Sequence, residues 1–86
     1  MKKLKAAALR YDTKKENAPR LVAKGEGKTA QNIIKIAELH NLPIKKDEDL
    51  IELLSNVALD KEVPDALYKA VAEVFSFVYK VSRKKE

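Results

Sequence analysis

Residues 18–27 read Ala18-Pro19-Arg20-Leu21-Val22-Ala23-Lys24-Gly25-Glu26-Gly27, and this stretch decides the fold. Pro19 has no N–H to offer a ladder and therefore suits the mouth of a strand. The short apolar segment of residues 20–24 reads as that strand, and Gly25 and Gly27 let the chain leave it. Upstream, across a polar loop of residues 12–19, Ala6-Ala7-Ala8-Leu9-Arg10-Tyr11 reads as a second strand. Only five residues precede it, so its far side has no neighbour from earlier in this sequence. A strand with unpaired N–H and C=O groups is a template for another polypeptide.

Downstream the period changes from two to 3.6. Ala30, Ile33, Ile34 and Ala37 follow the i, i+3, i+4, i+7 rule, and Asn41 and Pro43 end the pattern. Pro43-Ile44-Lys45-Lys46 reads as a short extended piece, which predicts a strand, helix, strand unit with a right-handed crossover between parallel neighbours. Asp47, Glu48 and Asp49 stand where a helix N-terminus favours negative charge, ahead of the stripe Leu50, Leu53, Leu54, Val57. Pro64 fits a first helical residue, and the last helix is expected over residues 64–81. The expected fold is α/β: a small mixed sheet of about three strands with three helices packed on it, in one domain over residues 1–86.

That last helix is apolar over a wider arc than one buried face needs. Leu67, Val71, Val74 and Val78 form one stripe, and Tyr68, Ala72, Phe75 and Tyr79 form a second about 100° away. Either both stripes are core, or the second lines a shallow docking groove, where an amphipathic tyrosine is at home. Tyr68 and Tyr79 are the positions that separate the two readings.

Charge and motif content exclude more than they assign. Residues 1–43 carry ten Lys/Arg against four Asp/Glu, and residues 44–86 carry eight against nine. This basic surplus, together with the Arg83-Lys84-Lys85 tail, suits a solubilising surface, an acidic protein, anionic lipid or nucleic acid. Basic residues and aromatics do not interleave, so no stacking platform for nucleic acid is visible. With no cysteine and one histidine there is no disulfide framework and no zinc cluster, and a reducing cytoplasm suits the chain. The opening Met-Lys-Lys-Leu is followed by too short an apolar run for a signal peptide, and no run is long enough to enter and cross a bilayer. Gly27-Lys28-Thr29 lacks the earlier glycine of a phosphate-binding loop, since Val22 stands there. His40 has no partner at a catalytic spacing, and Asp47, Glu48, Asp49 and Glu52 lack the alternation and central glycine of a calcium loop. No cofactor, metal or catalytic residue is expected.

Taken in order, Ala7-Ala8-Leu9-Arg10-Tyr11-Asp12, the Ala18-Pro19-x-Leu21-Val22-Ala23-Lys24-Gly25-x-Gly27 segment, Pro43-Ile44 and Val63-Pro64-x-x-Leu67-Tyr68-x-Ala70-Val71-Ala72-Glu73-Val74 resemble the C-terminal cytoplasmic domain of the flagellar export switch protein FlhB and its type III secretion counterparts. The resemblance covers nearly the whole chain. In that family a self-cleaving Asn-Pro-Thr-His turn precedes the first of these segments, whereas here the four positions read Met1-Lys2-Lys3-Leu4. The resemblance therefore implies a non-enzymatic, stand-alone counterpart of the fragment that cleavage leaves, without the family's transmembrane half.

It further implies a substrate-receiving patch at Ala18, Pro19, Ala72 and Phe75, to which the second stripe adds Tyr68 and Tyr79. The partners it implies are export substrates and a membrane-embedded FlhB-type export-gate subunit that completes the edge of Ala6, Ala7, Ala8, Leu9, Arg10 and Tyr11. A second copy of the chain is the other candidate for that edge. The expected place is the cytoplasm, with recruitment to the inner face of the gate. The competing functions are a basic module for an acidic partner and a small nucleic-acid binder, both of which would weaken steeply with salt.

Overall fold

An antiparallel hairpin organises the chain: β1 (Lys5–Arg10) pairs with β2 (Arg20–Glu26), in a computed structural model that describes residues 3–12 and 14–83. Met1 and Lys2 of the altered turn, and Lys84 and Lys85 of the basic tail, lie outside the described residues. Register runs from Lys5 opposite Glu26 to Arg10 opposite Arg20, and a bulge at Ala8/Leu9 leaves Val22 as the extra residue on β2. Three helices follow: α1 (Lys28–Leu39), α2 (Glu48–Leu54) and α3 (Tyr68–Arg83), the last preceded by a single 3-10 turn at Asp65–Leu67.

Alternation along the strands divides the helices between the two faces of the hairpin. Lys5, Ala7 and Leu9 share a face with Leu21 and Lys24. Ala7, Leu9 and Leu21 pack into the core with Leu50, Leu54, Val57, Val63 and Val71. Each fully buried leucine or valine of this cluster contributes about 1.5–3 kcal/mol. Lys5 pairs with Glu52 of α2, and Lys24 Nζ donates to the carbonyls of Ser55 (3.1 Å) and Val57 (2.7 Å), capping the C-terminal end of α2 with a cation from the sheet.

Small residues, Ala6, Ala8, Ala23 and Gly25, occupy the opposite face, and α1 packs against both strands. A Cβ on Gly25 would lie 2.3 Å from Thr29 Cγ2, so the glycine permits the close approach of strand and helix. Gly27 turns the chain between them at φ 57°, in the left-handed region where a side chain is strained.

The α/β class and the three helices match the expectation from sequence, and the strand count is corrected from about three to two. Residues 43–46 form no strand, and no parallel crossover exists among the described residues. The outer edge of β2 is taken instead by residues 60–63: Leu21 N donates to Lys61 O (3.0 Å), Asp60 N to Leu21 O (2.7 Å) and Val63 N to Pro19 O (2.8 Å), with Arg20 and Glu62 forming an antiparallel bridge. Pro43 cannot donate to such a ladder, and Ile44, Lys45 and Lys46 lie exposed.

Two helix starts are also refined. Asp47 caps α2 by accepting from Leu50 N at 3.0 Å, which accounts for part of the acidic cluster by local hydrogen bonding. Pro64 stands outside the helix in an extended conformation, because the chain enters α3 through the tight turn closed by Leu67 N on Pro64 O.

Candidate functional site

The two stripes of α3 have different fates. Val71 is buried, and Leu67, Val74 and Val78 are half-buried, so this stripe belongs to the core side. Along the second stripe Tyr68 is 40% exposed and Tyr79 61%, Ala72 is exposed, and Phe75 is half-buried. These four line a groove of about 510 Å³ whose other wall comes from the loop between the strands. Tyr11, Asn17 and Pro19 supply that wall, and Val71, Ser76 and Lys80 complete the lining. All three tyrosines of the chain face this one hollow. Tyr11 packs on Phe75 with ring centroids 6.0 Å apart and planes inclined by 56°, which ties the loop to the helix. Burial, reinforced by the Asp65 carboxylate, raises the Tyr68 hydroxyl above its usual range.

What holds the loop in place is an ionic clamp. Arg10 and Arg20 are cross-strand partners, and like charges in that relation repel. Glu16 resolves the conflict. Its carboxylate accepts from Arg10 Nη2 (3.1 Å), Arg20 Nε (3.0 Å) and the backbone N–H of Asp12 (3.0 Å), and its side chain is only 8% exposed. The Arg10 hydrogen bond, the Asp12 N–H and Arg20 together hold the Glu16 carboxyl down at about 2. Arg20 Nη1 also donates to the carbonyl of Asp60 (2.7 Å), so one cluster fastens the loop, both strand ends and the segment covering β2.

Residues singled out from the sequence fall into three groups. Pro19, Tyr68, Ala72, Phe75 and Tyr79 are brought together as groove lining. Ala18 is buried beside them and outside the lining, where it supports the wall. Ala6, Ala7, Ala8, Leu9 and Arg10 lie in β1, whereas Tyr11 is one residue past its end and faces the groove. Glu16 was missed by sequence reasoning, although one signal was present: arginines at both strand ends flanking an acidic loop residue.

The edge of β1 has a definite polarity. Gly27 N donates to Leu4 O at 2.7 Å, so the Leu4 carbonyl points towards β2. By alternation the main-chain groups of Lys5, Ala7 and Leu9 point away from β2. Among the described residues no backbone group bonds to them.

Among the described residues no group of three His, Cys, Asp or Glu side chains could hold a metal ion, and no helix is long and apolar enough to cross a membrane.

Known proteins share this fold. The profile of the FlhB HrpN YscU SpaS Family matches residues 5–78. The chain is 49% identical over 77 residues to the uncharacterized protein YlqH of Bacillus subtilis, covering 90% of this chain and 83% of that one. It is 42% identical over 74 residues to the flagellar biosynthetic protein FlhB of Aquifex aeolicus, covering 85% of this chain and 21% of the relative. The chain thus spans about a fifth of the length of the FlhB proteins it matches.

The crystal structure of the cytoplasmic domain of FlhB from Shewanella putrefaciens superposes with a TM-score of 0.89 at 30% identity, over 94% of this chain and 64% of that one. A mutated EscU C-terminal domain superposes with a TM-score of 0.86 at 24% identity over 90% and 94%, a likeness of fold. Together with the family-wide match over residues 5–78, these similarities show that the chain belongs to the FlhB HrpN YscU SpaS family.

Proposed function

We propose that this protein works at the flagellar or related type III protein export gate, as an accessory to or substitute for the C-terminal switch domain of a membrane-embedded FlhB-type subunit. Its groove between the Tyr11 loop and α3 receives export substrates, and the outer edge of β1 is completed in trans by that subunit or by a second copy. Family membership supports the role in export. The carrying observation is the second stripe of α3: exposed Tyr68, Ala72 and Tyr79, together with half-buried Phe75, form one wall of the groove.

The role needs no covalent step, and none is assigned, since the family's Asn-Pro-Thr-His positions read Met1-Lys2-Lys3-Leu4. Binding is by apolar contact in the groove and by main-chain hydrogen bonds along Lys5, Ala7 and Leu9, which accept any sequence of suitable register.

Titration of an early flagellar substrate segment against the parent and Phe75→Asp tests the groove. The aspartate places a charge against Tyr11, and affinity is expected to fall at least about tenfold. Equal affinity for both proteins removes the groove as the receiving surface. For the edge, Ala7→Pro deletes an N–H directed away from β2 while leaving the β1–β2 ladder intact. Undiminished capture of the gate subunit by this variant overturns strand addition.

A further inference from the structure

Among the described residues, Lys80 is the one charged side chain lining the groove; aromatic, aliphatic and uncharged polar residues make up the rest. It stands at the opposite end of the helical wall from Tyr68, about 18 Å away along α3 at 1.5 Å per residue. α3 holds a single carboxylate, Glu73, against Lys69, Lys80 and Arg83. Glu73 and Lys69 border the neighbouring hollow and not the groove, whereas Lys80 reaches both. Lys80 forms no salt bridge among the described residues.

The other carboxylates near the groove are engaged elsewhere. Asp12 Oδ1 accepts from Lys14 N (3.0 Å) within its own loop, and Glu16 is enclosed between Arg10 and Arg20. Asp65 and Glu62 act on the Tyr68 hydroxyl at the far end, so a further anion is disfavoured there. The groove is therefore largely apolar along its length, with an uncompensated ammonium group at one end.

Apolar walls hold an apolar side chain, and a cation at the rim selects the charge that accompanies it. We propose that the occupant is an acidic amphipathic segment of an export substrate, in which an apolar residue rests against Phe75 and a nearby carboxylate pairs with Lys80. This rests on the reading of the groove as the receiving surface and adds the charge of what it receives. Lys80 follows Phe75 by about 7.5 Å along α3. An extended occupant spans that distance in about two residues and a helical one in about five, which sets where its carboxylate stands relative to the apolar residue.

Selection from a displayed library of short peptides, randomised around a fixed central leucine, tests the assignment with the full chain and its Lys80→Glu variant as baits. The parent is expected to enrich Asp and Glu beside the leucine, and Lys80→Glu to enrich Lys and Arg at the same positions. Replacing the glutamate of a selected peptide by glutamine is expected to weaken binding to the parent about two- to fivefold, the size of an exposed ion pair, and the difference is expected to vanish at high NaCl. Lys80 is exposed, so an unchanged circular dichroism spectrum is expected to confirm that the variant folds. Enrichment without a charge preference, or a preference that Lys80→Glu leaves in place, overturns the proposal. Ala72→Gln, which sets a longer uncharged side chain in the groove at an exposed position, separates this result from the reading beneath it. If it abolishes binding of peptides selected without charge preference, the groove stands as the receiving surface and only the part of Lys80 falls. If it binds the selected peptides as the parent does, or if no leucine peptide is enriched, both fall.

Discussion

Tyr11 and Phe75 stand 64 positions apart in the chain and pack ring against ring at 6.0 Å, tilted by 56°. This contact joins the residue after β1 to the middle of α3 and sets the width of the groove. Tyr11→Ala is expected to lower stability by about 0.5–1.5 kcal/mol, the usual size of such an aromatic pair, as read from urea unfolding midpoints. Tyr11→Phe keeps the packing and is expected to unfold like the parent.

Glu16 predicts a defined pH dependence. Its carboxyl is held at about 2 in the folded protein against an ordinary value of 4.5, so its contribution is complete above pH 4.5 and is lost as pH falls through 2. Glu16→Gln is therefore expected to be less stable than the parent at neutral pH, because Arg10 and Arg20 then face each other without a carboxylate. The difference between the two proteins is expected to stay constant from pH 7 to 5, shrink below pH 4.5 and vanish near pH 2, in urea titrations at each pH.

Gly25→Ala tests the contact between β2 and α1. The added Cβ would meet Thr29 Cγ2 at 2.3 Å and Thr29 Cβ at 2.8 Å, and the second atom cannot be moved by rotating the side chain. The helix has to shift, at an expected cost of about 1–3 kcal/mol. Thr29→Ser in the same protein removes the methyl and is expected to restore part of the loss in thermal unfolding.

Leu21→Ala tests the core. Leu21 is fully buried at the centre of the cluster formed by α2, α3 and the hairpin, and its truncation is expected to cost about 2–5 kcal/mol in urea unfolding. Val22→Ala, at the bulge and exposed, is expected to change stability by less than about 0.5 kcal/mol.

Much of this protein is legible in its sequence because the signals are local. The two stripes of α3, Leu67-Val71-Val74-Val78 and Tyr68-Ala72-Phe75-Tyr79, follow from helical periodicity alone, and the first is on the whole the more buried of the two. The acidic start of α2, the glycine exit from β2 and both hairpin strands are read from residues within a few positions of each other. Pairing over longer distances is not encoded that way. Nothing near Leu21 announces that residues 60–63 will cover its strand edge, whereas Pro43-Ile44-Lys45-Lys46 reads as a third strand because extended character is local, although it pairs with no strand among the described residues.

Glu16 shows the same division most sharply. A glutamate in a polar loop reads as solvated, and its burial depends on the antiparallel register that sets Arg10 opposite Arg20. The chain by itself determined which residues are apolar, which segments are helical and which helix face is spare, since those properties depend on spacing along the backbone. The tertiary structure alone decided which segment covers the edge of β2, which carboxylate is enclosed and which aromatic rings meet, because each depends on groups that only folding brings within hydrogen-bond or van der Waals reach.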